Sequence, residues 1–144
     1  MIRKATPADI PAIVELGLEA MNKGAYPNMV ISREKIEAMA RECVSSAQNF
    51  SWVAEKNGIV GGVLCALVHD CMFYERRQAT VVQFYSHLPG EGMNLLRKLK
   101  RWWQSRPGVK MIVFSLEHDA DPRIGKILQR MGFFVALPVY LITK

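Results

Sequence analysis

The sequence predicts an α/β chain of the mixed α+β kind: a central, mostly antiparallel sheet flanked by about four helices. Three observations predict it. Apolar periodicity gives the order strand, two helices, three strands, helix, strand, helix and one or two closing strands. Asn57-Gly58 joins two apolar runs as a tight hairpin, so the three middle strands read as an antiparallel meander. The last of these strands breaks at Pro89-Gly90-Glu91-Gly92, and a helical run begins at once.

Ile2 to Ala5 forms a first short strand. Thr6-Pro7-Ala8-Asp9 announces a helix, with Thr6 as N-cap, Pro7 in its first position and Asp9 near its positive end. Ile10, Ile13, Val14, Gly17 and Met21 share one face of that helix. Gly24, Pro27 and Asn28 mark a loop. Ser32 caps a second helix, whose Ile36, Met39, Ala40, Cys43 and Val44 form the buried stripe.

Phe50 to Glu55 and Ile59 to Val68 are the arms of the hairpin. The second arm is apolar throughout, as a strand covered on both faces must be. Gly61-Gly62 within it marks a bulge or a close backbone approach. Asp70 to Arg77 turns into a third strand, Gln78 to Tyr85. After the glycine turn, Leu95, Leu96, Leu99, Trp102 and Trp103 define the buried side of a third helix that Pro107-Gly108 ends. Met111 to Leu116 is a short interior strand. Asp121 and Pro122 open a fourth helix that closes at Gly132, and Phe133 to Ile142 supplies the closing strands around Pro138. With no repeat or linker, residues 1–144 read as one domain.

Composition sets limits. Half the residues are hydrophobic and no apolar run approaches the ~20 residues of a membrane span, so no membrane partner is expected. The N-terminus lacks the apolar core of a secretory signal. Cys43, Cys65 and Cys71 have no metal-ligand spacing; they read as free thiols of a cytoplasmic protein, and no metal is expected. The net charge of +6 suits an anionic ligand or partner and keeps nucleic acid open. Its densest patch is Arg97, Lys98, Lys100, Arg101 and Arg106, readable as a solvated helix face or as a functional one.

The turn has chemistry of its own. Glycines there let a ligand approach the backbone, and the first turn of the following helix carries unpaired N–H groups at the positive end of its dipole. Together these make an anion site without a charged side chain. The arrangement His87, Gly90, Gly92 resembles the pyrophosphate loop of the GNAT superfamily, the acyl-coenzyme A-dependent N-acyltransferases. The element order does too, over nearly the whole chain. So do three local passages: Ile2-Arg3-Lys4-Ala5-Thr6-Pro7-Ala8-Asp9-Ile10, Asn57-Gly58-Ile59-Val60-Gly61-Gly62, and Lys126-Ile127-Leu128-Gln129-Arg130-Met131-Gly132-Phe133.

The resemblance implies a sheet splayed between its fourth and fifth strands, with acetyl-coenzyme A or a related thioester in the gap as co-substrate. Gln83, Phe84 and Tyr85 would lie beside the pantetheine through their backbone. His87, Leu88, Pro89, Gly90, Glu91, Gly92 and Met93 would hold the pyrophosphate, and Arg97, Lys98 or Arg101 would approach the remaining phosphate. The implied reaction is direct attack of a primary amine on the thioester; the amine belongs to a small molecule, a protein or a nucleic-acid base. Three departures bear on it and favour a binding module. The position of the family's frequent Tyr acid is Leu128, which has no proton to give; His87 can donate a hydrogen bond but is not permanently charged as Arg is; and Glu91 sets a carboxylate beside the expected diphosphate. No base is specified: Glu75 and Tyr85 are weak candidates, each with a structural reading as loop carboxylate and packed aromatic. His69-Asp70 and His118-Asp119 read more simply as turns, and Asp121 as a helix cap. The alternative function is a GNAT-fold binding module that works through a protein or nucleic-acid partner. Monomer and homodimer both remain open.

Overall fold

A computed structural model describes the chain except residues 24, 25, 27, 28, 118, 119 and 137–139. Gly24, Pro27 and Asn28 of the expected loop, His118-Asp119, and Pro138 of the closing segment lie outside the described residues. The elements are β1 (Ile2–Lys4), a 3₁₀ turn (Pro7–Asp9), α1 (Ile10–Lys23), α2 (Arg33–Ser45), β2 (Phe50–Lys56), β3 (Ile59–Asp70), β4 (Arg77–Ser86), α3 (Glu91–Gln104), β5 (Val109–Val113) and α4 (Pro122–Arg130). The five strands lie in the order β1-β2-β3-β4-β5. The first four pair antiparallel and β5 pairs parallel to β4. No helix among the described residues is long and apolar enough to cross a membrane.

Strand alternation sends side chains to two cores. Val53, Val63 and Cys65 meet Ile13, Val14, Ile36 and Cys43 of α1 and α2 on one face. Phe50, Ala54, Leu64 and Ala66 meet Leu95, Leu96 and Leu99 of α3 and Leu128 of α4 on the other. The two-sided cover explains the unbroken apolar run of β3. A buried leucine contributes roughly 1.5–3 kcal/mol, so three of them hold α3 on the sheet by packing. Its N-terminus is thereby fixed without help from a side-chain cap.

Two irregularities place the site. Ala54 pairs with Gly62 and Glu55 with Val60, which leaves Gly61 as the extra residue of a bulge, as the Gly61-Gly62 pair suggests. On β4, Gln83 pairs with Cys65 and Val81 with Ala66, so Val82 is the extra residue of a second bulge. The β4–β5 pairing runs only from Arg77↔Val109 to Thr80↔Val113 and stops just before that bulge. Bulges increase local twist, and from Val81 onward β4 has no ladder partner on its β5 side among the described residues.

Two expectations need correction. The fifth strand is Val109–Val113, not Met111 to Leu116, because Val109 enters the ladder opposite Arg77 while Phe114 leaves it to pack on Phe84 and Phe133. No closing strand forms among the described residues of 133–142. Phe134 is 84% and Ile142 95% exposed, and the outer edge of β5 carries no ladder partner for them.

Candidate functional site

The site is the corner where β4 stops and α3 starts. Ser86 Oγ accepts the Leu88 N–H and donates to its carbonyl, turning the chain out of the strand. The loop then rests on the β3 bulge: the His87 N–H donates to the Gly61 carbonyl at 3.0 Å. A Cβ on Gly61 would lie 2.7 Å from both His87 Cε1 and Leu88 Cγ, so only glycine allows this approach. Gly90 is the N-cap at φ 78° and ψ −20°, a left-handed conformation that costs other residues energy. It supplies no side-chain cap. The Glu91 N–H reaches the Leu88 carbonyl, and the N–H groups of Gly90, Gly92 and Met93 have no hydrogen-bond partner among the described residues. These free amides, an exposed Gly90 and the helix dipole form a cradle of the kind that suits an anion.

Beneath the cradle is an apolar floor. Phe84 packs edge-on against Phe114 at 5.5 Å, and Phe114 against Phe133 at 6.5 Å, so aromatic rings line the opening between β4 and the segment after β5. Phe84 also lies under Gly92, where a Cβ would sit 3.5 Å from its ring. Met93 packs at the margin of the same core.

Gln83 and Tyr85 point away from that floor. The Gln83 side chain turns toward α1, where Nε2 donates to the Ile13 carbonyl at 2.8 Å and Oε1 is buried without a partner. Tyr85 faces the same side. Its hydroxyl donates to Glu19 Oε1 at 2.8 Å and accepts from Lys23 Nζ at 2.6 Å. That bond holds the Lys23 ammonium above its ordinary pKa. Glu19 and Lys23 belong to no sequence motif; they come to Tyr85 only through the docking of α1 on the sheet. The Glu91 carboxylate turns along the flank of α3, 3.9 Å from the N-terminal ammonium and within reach of the Asn94 amide, which removes much of its conflict with an anion. Pro89 is exposed at the tip.

Glu75 sits elsewhere. It lies in the β3–β4 connection beside Asp70, Tyr74, Arg76 and Arg77. The ten residues of β4, about 30 Å of strand, separate that end from the cradle. His69 bonds to the Asp70 carbonyl and to Thr80 Oγ1 on the sheet surface, and Asp121 caps α4 by accepting the Arg123 N–H. Leu128 is buried in the α3–α4 core. Arg97, Lys98 and Arg101 line the flank of α3 that faces β1.

No family model and no curated protein matches the chain by sequence. Solved structures do match it by shape. A protein of Clostridium acetobutylicum, described as a predicted acetyltransferase and crystallised with acetyl-CoA, aligns over 99% of this chain and 95% of its own with TM-score 0.76 and 16% identity. A GNAT-family acetyltransferase of Streptococcus pneumoniae aligns over 94% and 84%, with TM-score 0.72 and 16% identity. A transcriptional regulator of Bacillus halodurans aligns over 100% and 99%, with TM-score 0.75 and 17% identity. The chain therefore has the fold of the GNAT acetyltransferases. Fold alone does not fix function, which rests on the site.

Proposed function

We propose that this protein is an N-acyltransferase that takes acyl-coenzyme A, acetyl-CoA first, at the β4–α3 corner and passes the acyl group to a primary amine. The observation that carries this reading is the opening of β4 from β5 beyond Thr80, which ends on the free amides of Gly90, Gly92 and Met93. The edge of β4 from Val81 to Ser86, without a ladder partner on its β5 side among the described residues, offers backbone donors and acceptors to an extended ligand, and the cradle takes its diphosphate. A bound thioester supplies the acyl group and a thiolate leaving group. Positioning the amine against it accounts for much of the rate, and a β4 amide facing the carbonyl oxygen stabilises the charge that develops there. The amine nitrogen bonds to the carbonyl carbon as the C–S bond breaks. Its proton passes to the Glu19 carboxylate, directly or through the Tyr85 hydroxyl, and the thiolate takes a proton from water because Leu128 has none. The free thiols suit a cytoplasmic setting.

A second reading, a GNAT-fold binding module without transfer activity, is favoured by Leu128 and by the likeness to the Bacillus regulator. Calorimetric titration with acetyl-CoA, together with release of free thiol in the presence of a panel of primary amines, separates the two. Under the transferase reading acetyl-CoA binds and thiol is released. Tyr85→Phe and Glu19→Gln then keep the affinity within about twofold, while Glu19→Gln slows release by about a hundredfold or more. Absence of acetyl-CoA binding would overturn it.

A further inference from the structure

On the side of α3 that faces β1 lies a shallow depression of about 380 Å³ lined by Ile2, Asn94, Arg97, Lys98 and Arg101. Lys4 adds to it: Ile2 and Lys4 share one face of β1, and Lys4 stands opposite Trp52, the ring over which Lys98 Nζ sits at 4.1 Å. None of Lys4, Arg97, Lys98 and Arg101 is ion-paired among the described residues. Arg97 meets only the Asn94 amide oxygen, at 3.3 Å. The nearest acid on this flank, Glu91, is turned to the N-terminal ammonium. Four uncompensated cations are thus gathered on one surface.

This surface runs along one flank of α3, past the cradle at the helix's N-terminus: Lys98 reaches β2 on this flank, while on the other Lys100 donates to the Met131 carbonyl at the end of α4, 2.6 Å away. The opening between β4 and β5 is on that second flank, at the opposite edge of the sheet from β1.

We propose that this patch binds the phosphate backbone of a nucleic acid, in a site distinct from the cradle and independent of whether the cradle is catalytic. Guanidinium groups match phosphate oxygens in pairs. Arg97 and Arg101 are one helical turn apart, about 6 Å, which sets two guanidinium groups in a row for neighbouring phosphates of a strand. An acidic protein partner fits less well, because protein interfaces centre on desolvated apolar anchors and Ile2 is the one apolar side chain lining the depression. A phosphate backbone needs no such centre. The net charge of +6 adds attraction at long range.

The test is fluorescence anisotropy with a labelled single-stranded DNA of about 20 nucleotides, longer than the ~4–16 that a small domain covers. Arg97 and Arg101 are both exposed, so the double variant Arg97→Gln/Arg101→Gln should fold. It should lose about tenfold or more in affinity at low salt, and the slope of log K against log salt should fall by about 1.4, two contacts at roughly 0.7 each. Lys35→Gln/Lys56→Gln removes the same net charge elsewhere and should change affinity less than about twofold. Acetyl-CoA affinity should be unchanged in both. Equal losses in the two double variants would overturn the proposal in favour of net charge alone. Binding of poly-glutamate as tight as that of DNA would overturn it in favour of an acidic protein. If the Arg variant weakened acetyl-CoA but not its 3′-dephospho analogue, the patch would be a subsite for the coenzyme's own phosphate, and the proposal would fail.

Discussion

The chain passes from strand to helix at two comparable corners and builds them in opposite ways. At the β1–α1 corner a side chain ties the turn back on itself, while the Asp9 N–H goes to the Thr6 carbonyl. The Asp9 carboxylate accepts from the Thr6 N–H at 2.8 Å, from the Thr6 hydroxyl at 3.1 Å and from both Nη atoms of Arg3, which also reaches Glu55. At the β4–α3 corner, no side chain caps the helix, glycine occupies the N-cap, and the amides of Gly90, Gly92 and Met93 have no partner among the described residues. The first corner is an ordinary helix start made stable. The second has no such side chain, and its free amides are the groups that the proposed coenzyme site would use. Local capping costs nothing in sequence terms, so its omission beside an opened strand is the feature that points to function.

The largest expected effect comes from breaking the satisfied corner. The Arg3 guanidinium beside Asp9 holds its carboxyl at about pKa 2, against an ordinary value of 3.8, and Asp9 is nearly buried. A depression of nearly two units is worth about 2 kcal/mol. The unfolded chain binds the extra proton between those values, so this stability is present above about pH 4 and is lost as pH falls toward 2. Asp9→Asn should therefore lower the unfolding free energy by about 2 kcal/mol at neutral pH and flatten its dependence on pH between 4 and 2, as read by urea titration. Its acetyl-CoA affinity should stay within about twofold. A matching loss of affinity would mean that the two corners are not independent.

A smaller effect should follow from disturbing the support of the open corner. Gly61→Val places side-chain carbon against His87 and Leu88, which must move and take the cradle with them. Acetyl-CoA affinity should fall about tenfold, some 1.4 kcal/mol, by calorimetry. Unchanged affinity would show that the loop finds its position without the β3 bulge.

The contrast also explains what the sequence made legible. Element order was readable because periodicity, the Asn57-Gly58 turn and the caps at Ser32 and Asp121 are local signals, and the structure places each where expected. Gly61-Gly62 and the loop at Gly90 were readable because glycine there answers a backbone requirement. The end of β5 was not, since Phe114 continues the apolar run but leaves the ladder for other rings. Nor were the closing strands, because a strand requires a partner edge that apolar pattern alone does not reveal. Tyr85 could be nominated, but its partner Glu19 lies 66 residues away in sequence. Only the packing of α1 on the sheet joins them. Glu75 was readable as a loop carboxylate, and it is exposed in the β3–β4 connection; its distance from the cradle is a matter of tertiary geometry, not of pattern.

The smallest effect sharpens the comparison most, because it asks whether main chain or side chain grips the anion. Gly90 sits at φ 78°, and a Cβ added there would meet nothing within 4 Å. Gly90→Ala therefore adds no clash; it only strains the backbone that aims the amides, by about 1 kcal/mol, or roughly fivefold in affinity. The His87 side chain is exposed, and its backbone N–H is already committed to the Gly61 carbonyl. His87→Ala should then change acetyl-CoA affinity by less than about twofold. Measured side by side by calorimetry, alanine at 90 must cost more than alanine at 87 if the cradle is made of amides. The reverse order would transfer the grip to the imidazole and leave the glycine as turn chemistry alone.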